Sequence, residues 1–334
     1  MEIESQNRNR LTIKDAWPRL TGAALLLAGL GLLAAAALSP DPLRLNFSLD
    51  RQLAADAPGF PELNAFRSAT RLESYHIRQG ETPAFNLDIA VYPAAEPEQR
   101  RAIVYLPDAS DNGKQRRHND WDDAMRAARE HSPADALFIS WWDNAQRLDF
   151  MTGRDAWTRQ PAAAAFPDPA EQALWRQTAG PFAADDARLR QLARWLSMDA
   201  EQARADMAAT LPAGRPVYIL TCADDLARLR EIEALSGKKL GLEARFFPQD
   251  ADIHRQISQV KSWANAAGTG DYLLQSRPGQ GVLAWRVADA ETRRSLLVKL
   301  LPFTHSLAEP TPGLNLIYRS AGGGYLSIHQ WERD

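Results

Sequence analysis

Alternating apolar and polar residues predict several short β-strands. In FNLDIAVYP, residues 85–93, Leu87, Ile89 and Val91 fall on one face, as in a half-buried strand. AIVYLP is almost wholly apolar and ends at proline, as in a strand covered on both faces. AIVYLP is residues 102–107, and three further apolar runs predict strands at 136–142, 216–221 and 242–248.

Segments with a helical apolar period lie between these strands. One places Leu189, Leu192 and Leu196 on a single stripe. Another begins with Asp168 as an N-cap, followed by proline in the first turn. Besides the helix that starts after Asp168, the pattern predicts helices at 119–130, 184–196, 199–210, 223–235 and 251–266.

The last third of the chain predicts two β-hairpins. DYLLQSRPGQGVLAWRV places two strands around a Pro-Gly-Gln-Gly turn, and LNLIYRSAGGGYLSIHQW places two around Ala-Gly-Gly-Gly. Strands that alternate with helices and are followed by hairpins indicate an α/β fold. The predicted architecture is a mostly parallel sheet flanked by helices, with C-terminal antiparallel hairpins, preceded by one transmembrane helix.

The transmembrane helix is predicted at residues 20–38, which carry no charge over 19 residues. Four basic residues precede this run, so the positive-inside bias predicts a cytoplasmic segment at 1–19 and a periplasmic bulk. A cleaved signal peptide is the alternative, because small residues follow the run. Residues 39–71 are interpreted as a juxtamembrane linker and irregular segment, and 72–334 as the periplasmic α/β domain.

Composition narrows the classes of partner and cofactor. The net charge is −3 and no run of lysine or arginine exceeds a doublet, so nucleic acid is not an expected partner. Cys222 is the only cysteine, which excludes a disulfide within the chain and predicts a buried, inert thiol. No CxxCH is present, and the six histidines show no metal-binding spacing. We therefore expect no cofactor.

Polar residues follow three of the predicted strands at their carboxyl ends. If these strands are parallel neighbours, their carboxyl ends share one crevice, where open α/β sheets bind ligands. Asp224 also has a local interpretation as a first-turn acid of the following helix. The candidate residues at or near this crevice are Asp108, Asp111, Trp141, Trp142, Asp143, Gln146, Arg147, Arg154, Thr221 and Asp224.

The segment SWWDNAQRLDFMTGRDAW is the most distinctive of these. Each tryptophan offers a large apolar face and one N–H donor that needs a partner when buried. Asp143 is predicted to accept such a bond, or to pair with Arg147 or Arg154. A buried structural junction, a binding pocket or partner interface, and a catalytic acid at Asp143 remain open as alternatives.

The chain resembles two families on this segment. The Trp-Trp-Asp triplet is weakly similar to the WWD motif of oligosaccharyltransferase catalytic subunits, but Asn144 and Ala145 stand where that family has Tyr-Gly. The basic head, the single anchor, the α/β domain and the whole segment together resemble the HaoB family of hydroxylamine-oxidation accessory proteins. That resemblance implies a periplasmic partner, hydroxylamine oxidoreductase or another multihaem cytochrome.

The resulting prediction is a membrane-anchored periplasmic accessory protein that binds a partner rather than an enzyme. It would serve the assembly, the localisation or the partner binding of hydroxylamine oxidoreductase. The alternative is a glycan- or peptide-binding ectodomain, or a hydrolase, that uses the crevice at the strand ends.

Overall fold

The computed structural model describes residues 45–61, 66, 68–80, 82–93, 99–277, 279–321 and 325–333. The chain divides into two units, Met1–Asn46 with Arg78–Ala84, and Phe47–Ile77 with Phe85–Asp334. In the first unit the described residues are short strand ends and the turn beside them. Every candidate site residue lies within the second unit.

The described residues form twelve strands, most of them in the predicted places. They are β1 Leu45–Ala54, β2 Arg71–Gln79, β3 Thr82–Pro93, β4 Gln99–Val104, β5 Leu137–Ile139, β6 Asp155–Ala156, β7 Val217–Cys222, β8 Leu242–Pro248, β9 Tyr272–Arg277, β10 Gly281–Val287, β11 Leu314–Arg319 and β12 Leu326–Trp331. Both predicted hairpins are confirmed as antiparallel pairs, β9 with β10 and β11 with β12.

Ten α-helices lie in the same residues, with 3₁₀ turns at Ala163–Ala165 and Ala223–Arg228. They are α1 Asn112–His131, α2 Trp142–Thr152, α3 Pro169–Thr178, α4 Ala187–Ser197, α5 Ala200–Thr210, α6 Leu229–Ser236, α7 Ile253–Ala266, α8 Ala290–Arg293, α9 Leu296–Leu300 and α10 Thr304–Ala308. The Asp168 carboxylate caps α3 as predicted, accepting from the N–H of Ala170 at 2.8 Å.

The strands form three sheets, of four, three and five strands. Their orders are β1-β2-β3-β4, β8-β10-β9 and β11-β12-β7-β5-β6. In the five-stranded sheet β5 is parallel to β6 and β7, whereas β12 is antiparallel to β7. The fold is therefore mixed α/β. The prediction of a mostly parallel sheet was wrong, because the last hairpin adds to the edge of β7 instead of forming a separate extension.

The prediction that the strand at 102–107 is a parallel neighbour of β5 and β7 was also wrong. These residues contribute to β4, which pairs antiparallel with β3 in the four-stranded sheet and not with β5 or β7. Five residues separate β3 from β4. A parallel pairing needs a crossover of about a dozen residues or more, so a connection this short favours the antiparallel pair.

The sequence did not predict the short helices α8, α9 and α10, and two longer helices also differ from the prediction. α1 begins seven residues early, because the Asp111 carboxylate accepts from the N–H groups of Gly113 and Lys114 and caps it. The strand predicted at 136–142 stops at Ile139, and Trp142 begins α2, a helix that was not predicted. α2 ends at Gly153, whose positive φ of 66° is the left-handed conformation that terminates helices.

The N-terminal region differs from the prediction in one respect. Residues 45–54, predicted as linker, form β1. The predicted anchor at 20–38 lies outside the described residues. None of the helices in the described part of the chain combines the length and apolar character needed to cross a membrane.

The main core lies between the five-stranded sheet and helices α1 and α2. Large apolar side chains from the helices meet those of the central strands and close the space to solvent. Its members include Trp121, Met125, Phe138, Leu148, Leu220 and Ile328. α2 and the 3₁₀ turn Ala223–Arg228 begin directly after β5 and β7. The carboxyl ends of these two strands are therefore covered by protein and do not face an open crevice.

Candidate functional site

The Trp-Trp-Asp triplet forms the N-terminal end of α2, directly after β5. Trp141 is the N-cap residue, and both indoles are buried, with 1% and 0% of their surface exposed. Both indole N–H groups donate to one oxygen, Oε2 of Glu231 in α6, at 3.2 Å from Trp141 and 2.9 Å from Trp142. A single buried carboxylate thus satisfies both donors.

Arg228 completes this arrangement. Its guanidinium donates to Oδ2 of Asp143 at 3.1 and 3.0 Å, and to Oε1 of Glu231 at 3.0 Å. It also stacks over Trp142 and Trp175, 5.2 and 4.6 Å from the ring centres. We call Trp141, Trp142, Asp143, Arg228 and Glu231 the junction network.

The junction network places two carboxylates and one cation inside the protein. Burial raises the pKa of Glu231, and this outweighs the opposing effects of Arg228 and the indole donors. Burial opposes the charge of Arg228, yet the facing Asp143 and Glu231 carboxylates outweigh it and raise its pKa. The three charged groups depend on one another, as buried ion pairs do.

A second buried chain of polar groups adjoins the network. Asn144 donates from Nδ2 to Oδ1 of Asp225 at 2.6 Å, and the backbone N–H of Cys222 donates to Oδ2 of Asp225 at 2.9 Å. Burial raises the pKa of Asp225 to about 7, assisted by the nearby Asp143 and Asp224 carboxylates. The Cys222 thiol is buried, as predicted, and burial raises its pKa.

A more accessible group surrounds Asp224. Its Oδ2 accepts from the hydroxyls of Tyr325 at 2.6 Å and Tyr105 at 3.1 Å. Arg117 lies between those two rings, 5.6 and 5.5 Å from their centres, with Nη2 3.4 Å from Oδ1 of Asp224. Gln275 donates to the Ala223 carbonyl at 2.9 Å and approaches Oδ1 of Asp224 at 3.5 Å. We call Tyr105, Arg117, Asp224, Gln275 and Tyr325 the Asp224 cluster.

The Asp224 cluster is half-buried rather than sealed. The Asp224 and Arg117 side chains are 25% and 31% exposed. Burial raises the pKa of Tyr105 to about 12, with a further contribution from the Asp224 carboxylate, so its hydroxyl is a firm donor at neutral pH. Of the predicted crevice residues, Asp224 is the one that lies in this partly accessible polar group.

Two further predicted residues point away from the junction network. Arg147 donates to the carbonyl of Ile103 at 2.7 Å and to Oδ1 of Asn144 at 3.1 Å. Arg154 donates to the carbonyl of Ser132 at 2.9 Å. Asp143 therefore pairs with Arg228. The prediction that it would accept an indole N–H bond, or pair with Arg147 or Arg154, was wrong. An i, i+4 spacing on a helix would allow Asp143 and Arg147 to meet, but Arg147 packs instead against the rings of Tyr105 and Trp121. Arg154 lies beyond the end of α2.

The remaining candidates have local roles. Gln146 donates to the carbonyls of Arg159 and Ala179, both at 2.9 Å. Asp108 accepts from the Ser110 hydroxyl at 2.6 Å, and the hydrogen bonds from Ser110 lower the pKa of Asp108. Thr221 lies beside the Ser327 hydroxyl at 3.3 Å. With Asp111 used as a helix cap, the structure does not join these residues into one crevice.

Sequence reasoning missed two residues of the junction network, Arg228 and Glu231. They stand three apart in the helical segment that follows β7, and an Arg-x-x-Glu pair there was a usable signal. Tyr105, Arg117 and Tyr325 were missed because they come from three distant segments. Among the described residues, no three His, Cys, Asp or Glu side chains are grouped so as to hold a metal ion.

The geometry is that of a buried junction between α2 and α6. Both indole faces are covered and both N–H donors are bonded within the chain, so the described conformation presents no surface of Trp141 or Trp142 to a ligand. A binding or catalytic role for these residues stays a prediction.

A comparison of the sequence with family models identifies the family. The model described as HaoA-associated protein HaoB matches residues 14–331. The chain belongs to this family. The resemblance predicted from SWWDNAQRLDFMTGRDAW and the chain layout is therefore confirmed, and the match to HaoB extends well beyond that segment on both sides. No curated protein matches the chain.

Two solved structures show low similarity to this HaoB-family chain. One is the C-terminal globular domain of an oligosaccharyltransferase from Archaeoglobus fulgidus, with 11% identity and a TM-score of 0.32 over 64% of this chain and 97% of that one. The other is the C-terminal domain of pglb from C. jejuni, with 9% identity and a TM-score of 0.39 over 64% of this chain and 100% of that one.

Proposed function

We propose that this chain is an accessory protein of hydroxylamine oxidation that acts by binding hydroxylamine oxidoreductase. The observation that carries the proposal is the family match over residues 14–331, since the family is described as associated with HaoA. Its contribution would be to the assembly or localisation of the oxidoreductase, and the chain itself would perform no reaction.

The described geometry supports a structural role over a catalytic one for the most distinctive motif, Trp141-Trp142-Asp143. Asp143 and Glu231 are each bonded to Arg228, and Glu231 also holds both indole donors. Both carboxylates are also buried, so neither lies within hydrogen-bond reach of a substrate at the protein surface. Partner binding would then use the exposed surface of the domain. The junction network would stabilise the fold that presents this surface.

The proposal includes a place in the cell. Residues 20–38 would cross the inner membrane once, with 1–19 in the cytoplasm and 72–334 in the periplasm behind the segment 39–71. The uncharged length of the run and the basic residues before it support this arrangement. It would hold the domain at the membrane surface, where it would meet a periplasmic partner.

Co-purification tests the binding proposal. The full chain carries a C-terminal tag and is isolated from membranes in mild detergent at low salt, and the eluate is examined for the oxidoreductase by haem staining and mass spectrometry. We expect it to be recovered with the unaltered chain and lost with Glu231→Ala, which removes the centre of the junction network. Absence of the oxidoreductase from the unaltered sample, when both proteins are present in the membranes, would contradict the proposal.

Alkaline carbonate extraction tests the anchor separately. We expect the full chain to stay in the membrane pellet, and a C-terminal tag to be digested by protease added to spheroplasts. Release into the supernatant would exclude a spanning segment, and protection of the tag would exclude a periplasmic domain.

A further inference from the structure

The two edges of the four-stranded sheet differ. At one edge, β4 is covered by α2, and Arg147 of that helix donates to the β4 carbonyl of Ile103 at 2.7 Å. At the other edge lies β1, and among the described residues no strand pairs with its outer side. Residues Ser48–Gln52 of β1 are all exposed. An exposed edge strand is a template for pairing with another chain.

The two edges of the five-stranded sheet carry the usual protection. β6 has only two residues, and β11 is interrupted by a register shift between Leu316 and Tyr318. Short and bulged strands of this kind resist edge-to-edge pairing. β1 is ten residues long and contains neither proline nor glycine. It is therefore suited to accept a further strand.

The side chains of β1 alternate in character. Phe47, Leu49 and Leu53 share one face with Arg51, and polar residues such as Ser48 lie on the other. Leu49, near the middle of the strand, is 46% exposed. An added strand must continue the apolar face without placing like charges opposite each other.

We propose that the outer edge of β1 pairs antiparallel with β1 of a second copy of this chain, about a two-fold axis at Leu49. In this register Leu49 meets Leu49 of the other copy, Phe47 meets Arg51, and Ser48 meets Asp50. These are an apolar pair, a cation–π pair and a hydroxyl–carboxylate pair. The result is a continuous eight-stranded sheet across an isologous dimer.

The self-complementarity of the strand selects this register and this occupant. An axis at Asp50 would place two carboxylates opposite each other, and an axis at Arg51 two guanidinium groups, both of which are unfavourable. An axis at Ser48 shortens the overlap from nine to seven residues of the strand Leu45–Ala54. The Leu49 axis therefore combines long overlap with no like-charge pair.

Disulfide cross-linking tests the register. In full-length protein in detergent, Leu49→Cys places two thiols directly opposite, with Cα atoms about 4.5–5.5 Å apart, within reach of a disulfide. Ser48→Cys places them on a diagonal of about 7–8 Å, at or beyond the usual limit. Leu316→Cys is the matched control, a leucine 47% exposed on another edge strand. The native Cys222 is buried and does not interfere.

We expect mild oxidation to convert most of Leu49→Cys to a covalent dimer, with at least about fivefold less from Ser48→Cys and Leu316→Cys. Equal cross-linking of all three variants would indicate random collision and overturn the proposal. A disulfide from Leu49→Cys to a different protein in the membrane would also overturn it, because the occupant would not be a second copy.

Charge exchange tests the pairing without oxidation. Two copies of the chain that carry different tags are co-expressed. One tag is captured, and the amount of the other tag recovered with it is measured. Leu49→Glu paired with itself, or Leu49→Lys with itself, places like charges at the axis, and we expect capture to fall at least about tenfold. Leu49→Glu with Leu49→Lys restores opposite charges, so capture should return.

Recovery in the mixed pair shows that both single variants are folded, which makes the experiment decisive. Equal capture in every combination would place any dimer contact elsewhere. No capture between unaltered copies would mean that no dimer forms. Either result overturns the proposal.

Discussion

The junction network and the Asp224 cluster lie at the carboxyl ends of neighbouring strands, yet they differ in what surrounds them. In the junction network, Glu231 is 7% exposed and each of its oxygens accepts a bond from within the chain. In the Asp224 cluster, Asp224 is 25% exposed and faces two tyrosines and an arginine. The first set of groups is closed to solvent, and the second is partly accessible to it.

The difference shows that a conspicuous sequence motif and an accessible site need not coincide. Two tryptophans and a carboxylate at a strand end looked like a binding surface. Their donors instead face Glu231, where they help to fix α2 against α6. The residues that remain accessible, Arg117 and Tyr325, belong to unremarkable stretches of sequence.

Removal of Glu231, which accepts from both indole N–H groups, should cause the largest loss of stability. Glu231→Ala leaves two buried indole donors without a partner and removes one of the two carboxylates that balance Arg228. We expect a loss of about 3–5 kcal/mol in the free energy of unfolding. Urea denaturation followed by tryptophan fluorescence measures it. Glu243→Ala, which removes a carboxylate 51% exposed and paired with Arg286, should cost at most about 1 kcal/mol. Similar losses for both variants would contradict the interpretation of the network.

The pH dependence of stability separates the buried carboxylates from the open one. The pKa of Asp225 is about 7 in the folded chain and near 3.8 when exposed. Between about pH 4 and pH 7 the unfolded chain releases this proton and the folded chain keeps it, so stability falls as pH rises. The slope from this group is at most about 1.4 kcal/mol per pH unit.

Asp225→Asn removes that titration, and the other groups cancel in the comparison. We expect its unfolding free energy to fall less steeply with pH than that of the unaltered chain, measured by urea denaturation at several pH values from 4 to 8. Parallel curves for the two proteins would show that Asp225 does not titrate in this range.

A smaller loss of stability is expected from a substitution in the Asp224 cluster. Asp224→Ala removes the acceptor for both tyrosine hydroxyls, but these groups are half-buried and water can replace part of what is lost. We expect a decrease of about 1–3 kcal/mol, below that of Glu231→Ala in the same urea experiment. A larger loss at Asp224 than at Glu231 would reverse the order that burial predicts for the two sites.

The smallest loss of stability should come from removing a single hydroxyl group, that of Tyr325. Tyr325→Phe keeps the ring against Arg117 and removes only the 2.6 Å bond to Asp224. We expect about 1 kcal/mol, measured as a shift in the urea midpoint. Tyr318→Phe, on the neighbouring strand β11, is the control, and a loss there as large as at Tyr325 would assign the effect to the substitution rather than to Asp224.

The local elements of this protein followed from local signals. The cap at Asp168, the antiparallel strand pairs of both hairpins and the apolar stripe of α4 each involve residues close in sequence, so the pattern alone predicted them. α2 was missed because an apolar strand runs into it without a break. The helix signal in Asp143 and Gly153 was overlooked beside the paired tryptophans.

The sequence by itself determined most strands, most helices, the two hairpins and the family. Only the tertiary structure decided that β4 joins another sheet and that Asp143 pairs with Arg228, 85 residues away. Apolar periodicity records which face of an element is buried, but it carries no information about which element covers that face. Sheet order sets those long-range neighbours, and here it placed a motif that resembles a binding site inside the protein.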